Sequence, residues 1–174
     1  MKIWVDADAC PSVIKAILCK AAERTQTQTL FLANHVIRVP INDYVRFFQV
    51  ESGFDVVDNA ILKRMQSGDG VITSDIPLAA AVIEQHGWVL SPRGESYTQS
   101  NIQQRLAMRH FMTDLRDSGV AIGGQAPLSQ ADRHAFASQL DARLLHHGYC
   151  IFNNIIRCSK SSLFIAIIHT TVSY

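Results

Sequence analysis

Asp6 and Asp8 stand one residue apart in Ile3-Trp4-Val5-Asp6-Ala7-Asp8-Ala9-Cys10-Pro11, after a short apolar run and just ahead of a proline. Asp55 and Asp58 are three residues apart, a spacing that places two side chains on one face of a helix. Asp75 closes Val71-Ile72-Thr73-Ser74-Asp75, immediately before Ile76-Pro77. Carboxylates brought together raise one another's pKa and resist ionising in company. A hard divalent cation relieves that repulsion, and Mg2+ or Mn2+ takes oxygen ligands while keeping several waters. In an open cleft such an ion suits phosphoryl chemistry, because it activates a water and stabilises the leaving oxygen. Each acid also has an ordinary use: Asp8, Asp55 and Asp75 precede helical patterns and can cap them, where negative charge is favoured.

What could gather these acids is the order of elements. Ile3 onward reads as a buried strand, and if it stays extended through Asp8 the two acids point to one side. Val13, Ile14, Ile17, Leu18 and Ala21 recur at helical spacing over Pro11 to Arg24. Leu30 to Ala33 is a second buried strand ending at Asn34-His35, and Val36 to Val39 and Val45 to Val50 are shorter β-like runs around Pro40. Gly53-Phe54-Asp55 opens a helix with Val57, Ile61 and Met65 on one face. Gly68-Asp69-Gly70 reads as a turn, with Asp69 a turn residue. Val71 to Thr73 is a strand, Ile76-Pro77 starts a helix that buries Leu78, Ala81, Val82 and Ile83, and Trp88 to Leu90 is a strand closed by Ser91-Pro92-Arg93-Gly94. A helix from about Thr98 to Asp117 ends at Ser118-Gly119. After a loop around Gly123-Gly124, the last helix is capped by Ser129 with Asp132 and runs to about Leu145.

Strands alternating with helices imply right-handed βαβ units, hence an α/β fold: a three-layer α/β/α arrangement on a mainly parallel central sheet. All strand ends and following helix starts then share one edge, the edge where open α/β sheets bind ligands. Asp6, Asp8, Asp55, Asp58 and Asp75 are expected to meet there. Groups able to hold phosphate are Arg93, in a loop at the same edge, Asn34 and Arg38 near another strand end, and Arg105 and Arg109 on a helical stripe that continues to Arg116.

The 174 residues, 48% hydrophobic and 18% charged, describe a globular chain with a core of its own. A net charge of +1 provides no global attraction to nucleic acid, so any such binding must come from a local patch. Cys10, Cys19, Cys150 and Cys158 form no CxxC pair and no zinc-like spacing with histidine, which suits reduced thiols and a cytoplasmic location. Met1-Lys2 leads straight into a strand, without a signal peptide, and Leu163 to Ile168 is too short to span a bilayer, so no membrane partner is expected. Beyond Asp141 there is no acidic residue, and residues 149–174 read as an atypical extension of a domain covering residues 1–148.

The stretches IWVDADACP, ANHVIRVP, GFDVVDNAI, GDGVITSDIPLA, SPRGESYT and LSQADRHAFA resemble the YaiI/YqxD family of small bacterial proteins, over nearly everything from Ile3 to about Leu145. That family is placed among PIN-like domains, which are similar to metal-dependent nucleases on a parallel sheet. The resemblance implies that Asp6, Asp58 and Asp75 occupy the metal positions with Asp8 and Asp55 beside them, and that Thr73-Ser74-Asp75 with Leu78-Ala79 is the PIN-type strand end. The extension beyond Tyr149 departs from the family. The expectation is a Mg2+- or Mn2+-dependent nuclease acting on RNA in preference to DNA. Two alternatives stay open. One is a phosphatase of the haloacid-dehalogenase type with Asp6 as nucleophile, imitated by Asp6-Ala7-Asp8 and Lys63 but lacking Ser or Thr where Asn34 stands. The other is a non-catalytic nucleic-acid-binding module.

Overall fold

Side-chain alternation along β1 (Ile3–Asp6) sends Trp4 to one face of the sheet and Ile3 and Val5 to the other, and all three are buried. Burial on both faces marks a central strand with layers above and below. The computed structural model describes residues 1–40, 42–53, 55–119 and 126–158, with side-chain surroundings through residue 145. After β1 come α1 (Ser12–Thr25), β2 (Thr29–Ala33), β3 (Val45–Gln49), α2 (Val56–Arg64), β4 (Gly70–Ile72), α3 (Ile76–Glu84), β5 (Trp88–Leu90), β6 (Ser96–Tyr97), α4 (Ile102–Asp117) and α5 (Gln130–Cys158). The six strands form one sheet in the order β3-β2-β1-β4-β5-β6, parallel except for β6.

One face of the sheet is covered by α2 and α3. Trp4, Leu30, Leu32, Val71 and Val89 meet Val57 and Ile61 of α2 and Leu78 and Val82 of α3 there. Ile3, Val5, Phe31, Ile72 and Leu90 alternate with those residues and are also buried, as are Ile14 and Leu18 of α1 and Phe136 and Leu140 of α5. The result is the three-layer, mostly parallel α/β architecture expected from the sequence. The chain divides into a unit of Met1–Leu140, which holds the sheet, and a second beginning at Asp141. No helix among the described residues is long and apolar enough to cross a membrane.

From β1 the chain winds through α1 to β2 and on to β3, then returns to the opposite flank of β1 as β4. The order therefore reverses between β1 and β4. At such a switch point the connections leave in opposite directions and open a crevice at the carboxyl ends of the two strands.

Several local expectations change. Residues 36–39 are irregular and not β-like. Both flanks of β2 are already taken, by β1 and β3, so no strand edge remains for them. β4 starts at Gly70 and stops at Ile72, one residue earlier than expected; a Cβ at Gly70 would lie 2.1 Å from the Trp88 ring, so only glycine fits beside β5. α5 does not stop near Leu145 but runs to Cys158. Between its ends there is no proline, and the cost of Gly148 in a helix interior is only about 1 kcal/mol. The loop at Gly123-Gly124 and residues 159–174 of the extension lie outside the described residues.

Asp69 is more than a turn residue. It is 4% exposed and accepts from the Lys2 amide at 2.7 Å, the Trp4 indole Nε1 at 3.0 Å and the Gln66 amide at 3.1 Å. These bonds clamp the start of β1 to the α2–β4 turn, at the end of the sheet opposite the acids. Asp69→Ala would leave the buried Trp4 N–H without its acceptor and is expected to lower unfolding free energy by about 2–4 kcal/mol in a urea titration. A loss under about 1 kcal/mol would show that the clamp contributes little.

Candidate active site

Asp6 is the last residue of β1 and is nearly enclosed, at 6% exposure. Thr73, just past β4, donates its hydroxyl to Asp6 Oδ2 at 3.1 Å, a bond that crosses the crevice between the two strands. The Asp75 amide donates to the same hydroxyl at 3.0 Å. Burial pushes the Asp6 carboxyl above its ordinary range, and the Thr73 bond works against that rise.

β1 ends at Asp6, so strand alternation does not aim Asp8 as expected. Asp8 sits in the bend leading to α1 and is held instead by the neighbouring strand end. The Asn34 amide donates to its Oδ2 at 3.0 Å, and His35 Nδ1 lies 2.8 Å from Oδ1. Both acids still reach one place. Asp6, Asp8, Asp55, Asp58 and Asp75, together with Asn34 and Ser74, line an open cleft of about 430 Å³ at the carboxyl edge of the sheet.

The second pair of acids enters from α2. Asp55 occupies the N-cap position in a left-handed conformation (φ 55°), and its side chain caps nothing. Asp58, one turn in, is half-buried. Its carboxyl is pushed up to about 6, first by burial and then by Asp75, Asp6 and Asp55, with Arg109 pulling the other way. Asp75 does cap, accepting from the Leu78 amide at 3.0 Å, and faces the cleft as well. Arg109 of α4 reaches Asp75 with Nη1 at 3.3 Å from Oδ2.

The other basic candidates are scattered. Arg93 pairs with Asp132 at 2.9 Å and also donates to the Ala126 carbonyl, tying the β5–β6 loop to the first turn of α5. There the Ser129 and Asp132 side chains bond each other's amides, at 3.0 and 2.8 Å, as the capping-box reading expected. These bonds hold the Asp132 carboxyl below its usual range. Gly94 (φ +83°) lets the loop approach so closely that a Cβ would come within 2.5 Å of the Phe136 amide. Arg105 is paired with Glu95, and Arg38 lies in a separate groove beside α1. None of these three lines the acidic cleft.

Two partners were not read from the sequence. The sequence marks Thr73 only as part of a strand-end motif, and His35 only as the residue that ends the second strand with Asn34. His35 follows directly on β2, and the carboxyl-edge argument applied to that strand would have found it. Cys10 is buried and its thiol is pushed up to about 12, so it holds no thiolate at neutral pH.

Every candidate ligand is a carboxylate oxygen, the donor type of Mg2+ and Mn2+. Among the described residues no three acidic, histidine or cysteine side chains converge on one point as a metal cage. The cleft therefore fits a hydrated cation held through one or two carboxylates, the ordinary habit of Mg2+, and does not fit a dehydrated protein-only site.

Between its unfolded value of 3.8 and its folded value of about 6, Asp58 binds its proton more tightly in the folded chain. Its contribution to stability is thus complete below that window and lost as pH rises through it. Asp58→Asn is expected to flatten the pH dependence between pH 4 and 6 and to make the protein more stable than wild type at pH 8. Chemical denaturation across that range checks it; equal or lower stability of the variant at pH 8 would mean the crowding is relieved in another way.

The family model described as "Uncharacterized BCR, YaiI/YqxD family" matches residues 4–146. A "UPF0178 protein" of Syntrophotalea carbinolica is 56% identical over 147 residues, spanning 84% of this chain and 99% of the relative. Relatives from Pectobacterium carotovorum (57%, spanning 85% of this chain and 98% of the relative) and Shewanella amazonensis (58%, spanning 81% and 95%) carry the same description. No solved structure matches the chain significantly. By this match and these relatives, the chain belongs to the YaiI/YqxD family.

Proposed function

We propose that the cleft hydrolyses phosphodiester bonds of nucleic acid, RNA in preference to DNA, with Mg2+ or Mn2+ as the cofactor. The observation that carries this reading is the gathering of five carboxylates from three separate chain segments in one open cleft. Burial there, and then the charges of Asp75, Asp6 and Asp55, lift Asp58 well above an ordinary carboxylate. Folding tolerates such repulsion where a ligand relieves it, and perturbed titrations of this kind concentrate at functional sites.

Asp6, Asp58 and Asp75 are the residues that would hold the cation, one or two of them directly and the rest through its waters, with Asp55 at the rim. A cation bound there would polarise the phosphoryl oxygens and lower the pKa of a water. Thr73 holds Asp6 in a fixed direction through a hydroxyl that itself accepts from the Asp75 amide. Asp8, held by the Asn34 amide and His35, accepts a proton from the attacking water or orients it. Arg109 stands beside Asp75 on a flexible stem. Its guanidinium matches a phosphate oxygen as well as a carboxylate, so incoming substrate can take it over from Asp75.

Wild-type protein with Mn2+ is expected to cleave a single-stranded RNA, and Asp6→Asn or Asp58→Asn to lower kcat/KM by roughly 100-fold or more. The same ions should raise the melting temperature of wild type but not of either variant, since only a ligand of the folded state stabilises it. Absence of both cleavage and the melting shift overturns the proposal. A covalent phosphate trapped on Asp6 would assign the cleft to the phosphatase reading.

A further inference from the structure

A cleft walled by carboxylates repels a polyanion, and a chain of net charge +1 has no general field to draw one in. A strand reaching the cleft needs a positive surface close by. One lies against α1: a groove of about 430 Å³ lined by Lys15, Lys20 and Arg38, with Glu23 and Pro40 on its walls.

The two concavities are framed by the same two chain segments. Ala9 of the β1–α1 connection lines the acidic cleft and Ser12, where α1 begins, lines the groove; on the segment after β2, Asn34 lines the cleft and Arg38 the groove. Three residues separate the first pair and four the second, so along the chain the groove's lining begins at most roughly 10 to 14 Å from the cleft's. Lys15 occupies the join, donating from Nζ to the carbonyl of Ala7 at 2.8 Å, between Asp6 and Asp8. Lys20 and Arg38 are exposed, and among the described residues no ion pair engages either of them. The one anion lining the groove among the described residues, Glu23, is held by the Asn42 side-chain amide at 2.6 Å.

We propose that this groove binds phosphates of a single nucleic-acid strand whose neighbouring linkage lies in the acidic cleft. It rests on the nucleic-acid reading of the cleft and names the path the strand takes. Lys15 sits nearest the acids, and Lys20 and Arg38 hold phosphates farther along. Recognition is by charge and spacing, without base contacts, so it is salt-dependent and tolerant of sequence.

The test is fluorescence anisotropy of a labelled 12-nucleotide single-stranded RNA with the full chain in EDTA, where a metal-dependent enzyme cannot turn over. The double variant Lys20→Gln/Arg38→Gln is expected to bind about 10-fold more weakly at low salt, with the slope of log affinity against log salt reduced by about 1.4 for two lost phosphate contacts. Glu23→Gln keeps the acceptor for Asn42, removes the groove's anion and should tighten binding, which a merely damaged fold could not do. Double-variant binding within twofold of wild type, an unchanged salt slope, or adenosine monophosphate competing as well as the 12-mer would overturn the proposal. Because binding is read without cleavage, groove and enzyme fail separately. Groove-dependent binding without hydrolysis keeps the groove and removes the nuclease; hydrolysis with binding indifferent to Lys20 and Arg38 does the reverse.

Discussion

Like charges held close in a partly dry place are the constraint on which this molecule depends. Asp6 is enclosed at the end of a central strand, and Asp58 is half-buried within its influence. Neither position is cheap for a carboxylate: burial removes water from the charged form, and each neighbouring acid adds repulsion. The arrangement survives because the sheet beneath it is rigid. Trp4, Leu30, Leu32, Val71 and Val89 on one face, and Ile3, Val5, Phe31, Ile72 and Leu90 on the other, lock the strands whose ends carry or adjoin the acids.

The chain uses aspartates in two physically distinct ways, and the two ends of the sheet separate them. At the amino end, Asp69 is saturated with donors: two amides and the Trp4 indole. It is a cross-link, and its charge is spent on hydrogen bonds within the protein. At the carboxyl end the acids are unevenly supplied. Asp55 caps nothing, Asp58 is crowded, and Asp75 divides its oxygens between a helix amide and Arg109. Unspent charge on an ordered scaffold is what distinguishes a candidate site from a clamp. The same distinction sorts the arginines: Arg93 is consumed in fastening the β5–β6 loop to α5, whereas Arg109 pairs with Asp75, which lines the cleft.

Charge of both signs is also partitioned along two short connections. The β1–α1 bend carries Asp8 to the cleft while Lys15 and Lys20 of the following helix line the groove, and the segment after β2 lends Asn34 to the cleft and Arg38 to the groove. A near-neutral chain can thus show a polyanion a strongly structured local field while its net charge suggests indifference.

Much of this was legible in the residues alone. Apolar runs of four or five residues alternating with 3.6-residue periodicity specify βαβ units, and parallel βαβ units force strand ends onto one edge, so the meeting of Asp6, Asp58 and Asp75 follows from local pattern and general topology. The Ser129-Asp132 cap was equally readable, since its partners are three residues apart. What the residues could not convey is where chain continuity gives way to contact across the fold. That β1 stops at Asp6, leaving Asp8 to be aimed by Asn34 and His35, depends on which strand lies beside it. That Arg105 pairs with Glu95 while Arg109, one turn on, reaches Asp75 depends on how α4 lies against α3. That Asp69 is a buried clamp depends on Trp4, sixty-five positions away. Periodicity and capping are short-range and leave a mark in sequence order; strand adjacency and charge pairing are decided by packing in space, and only the tertiary structure records them.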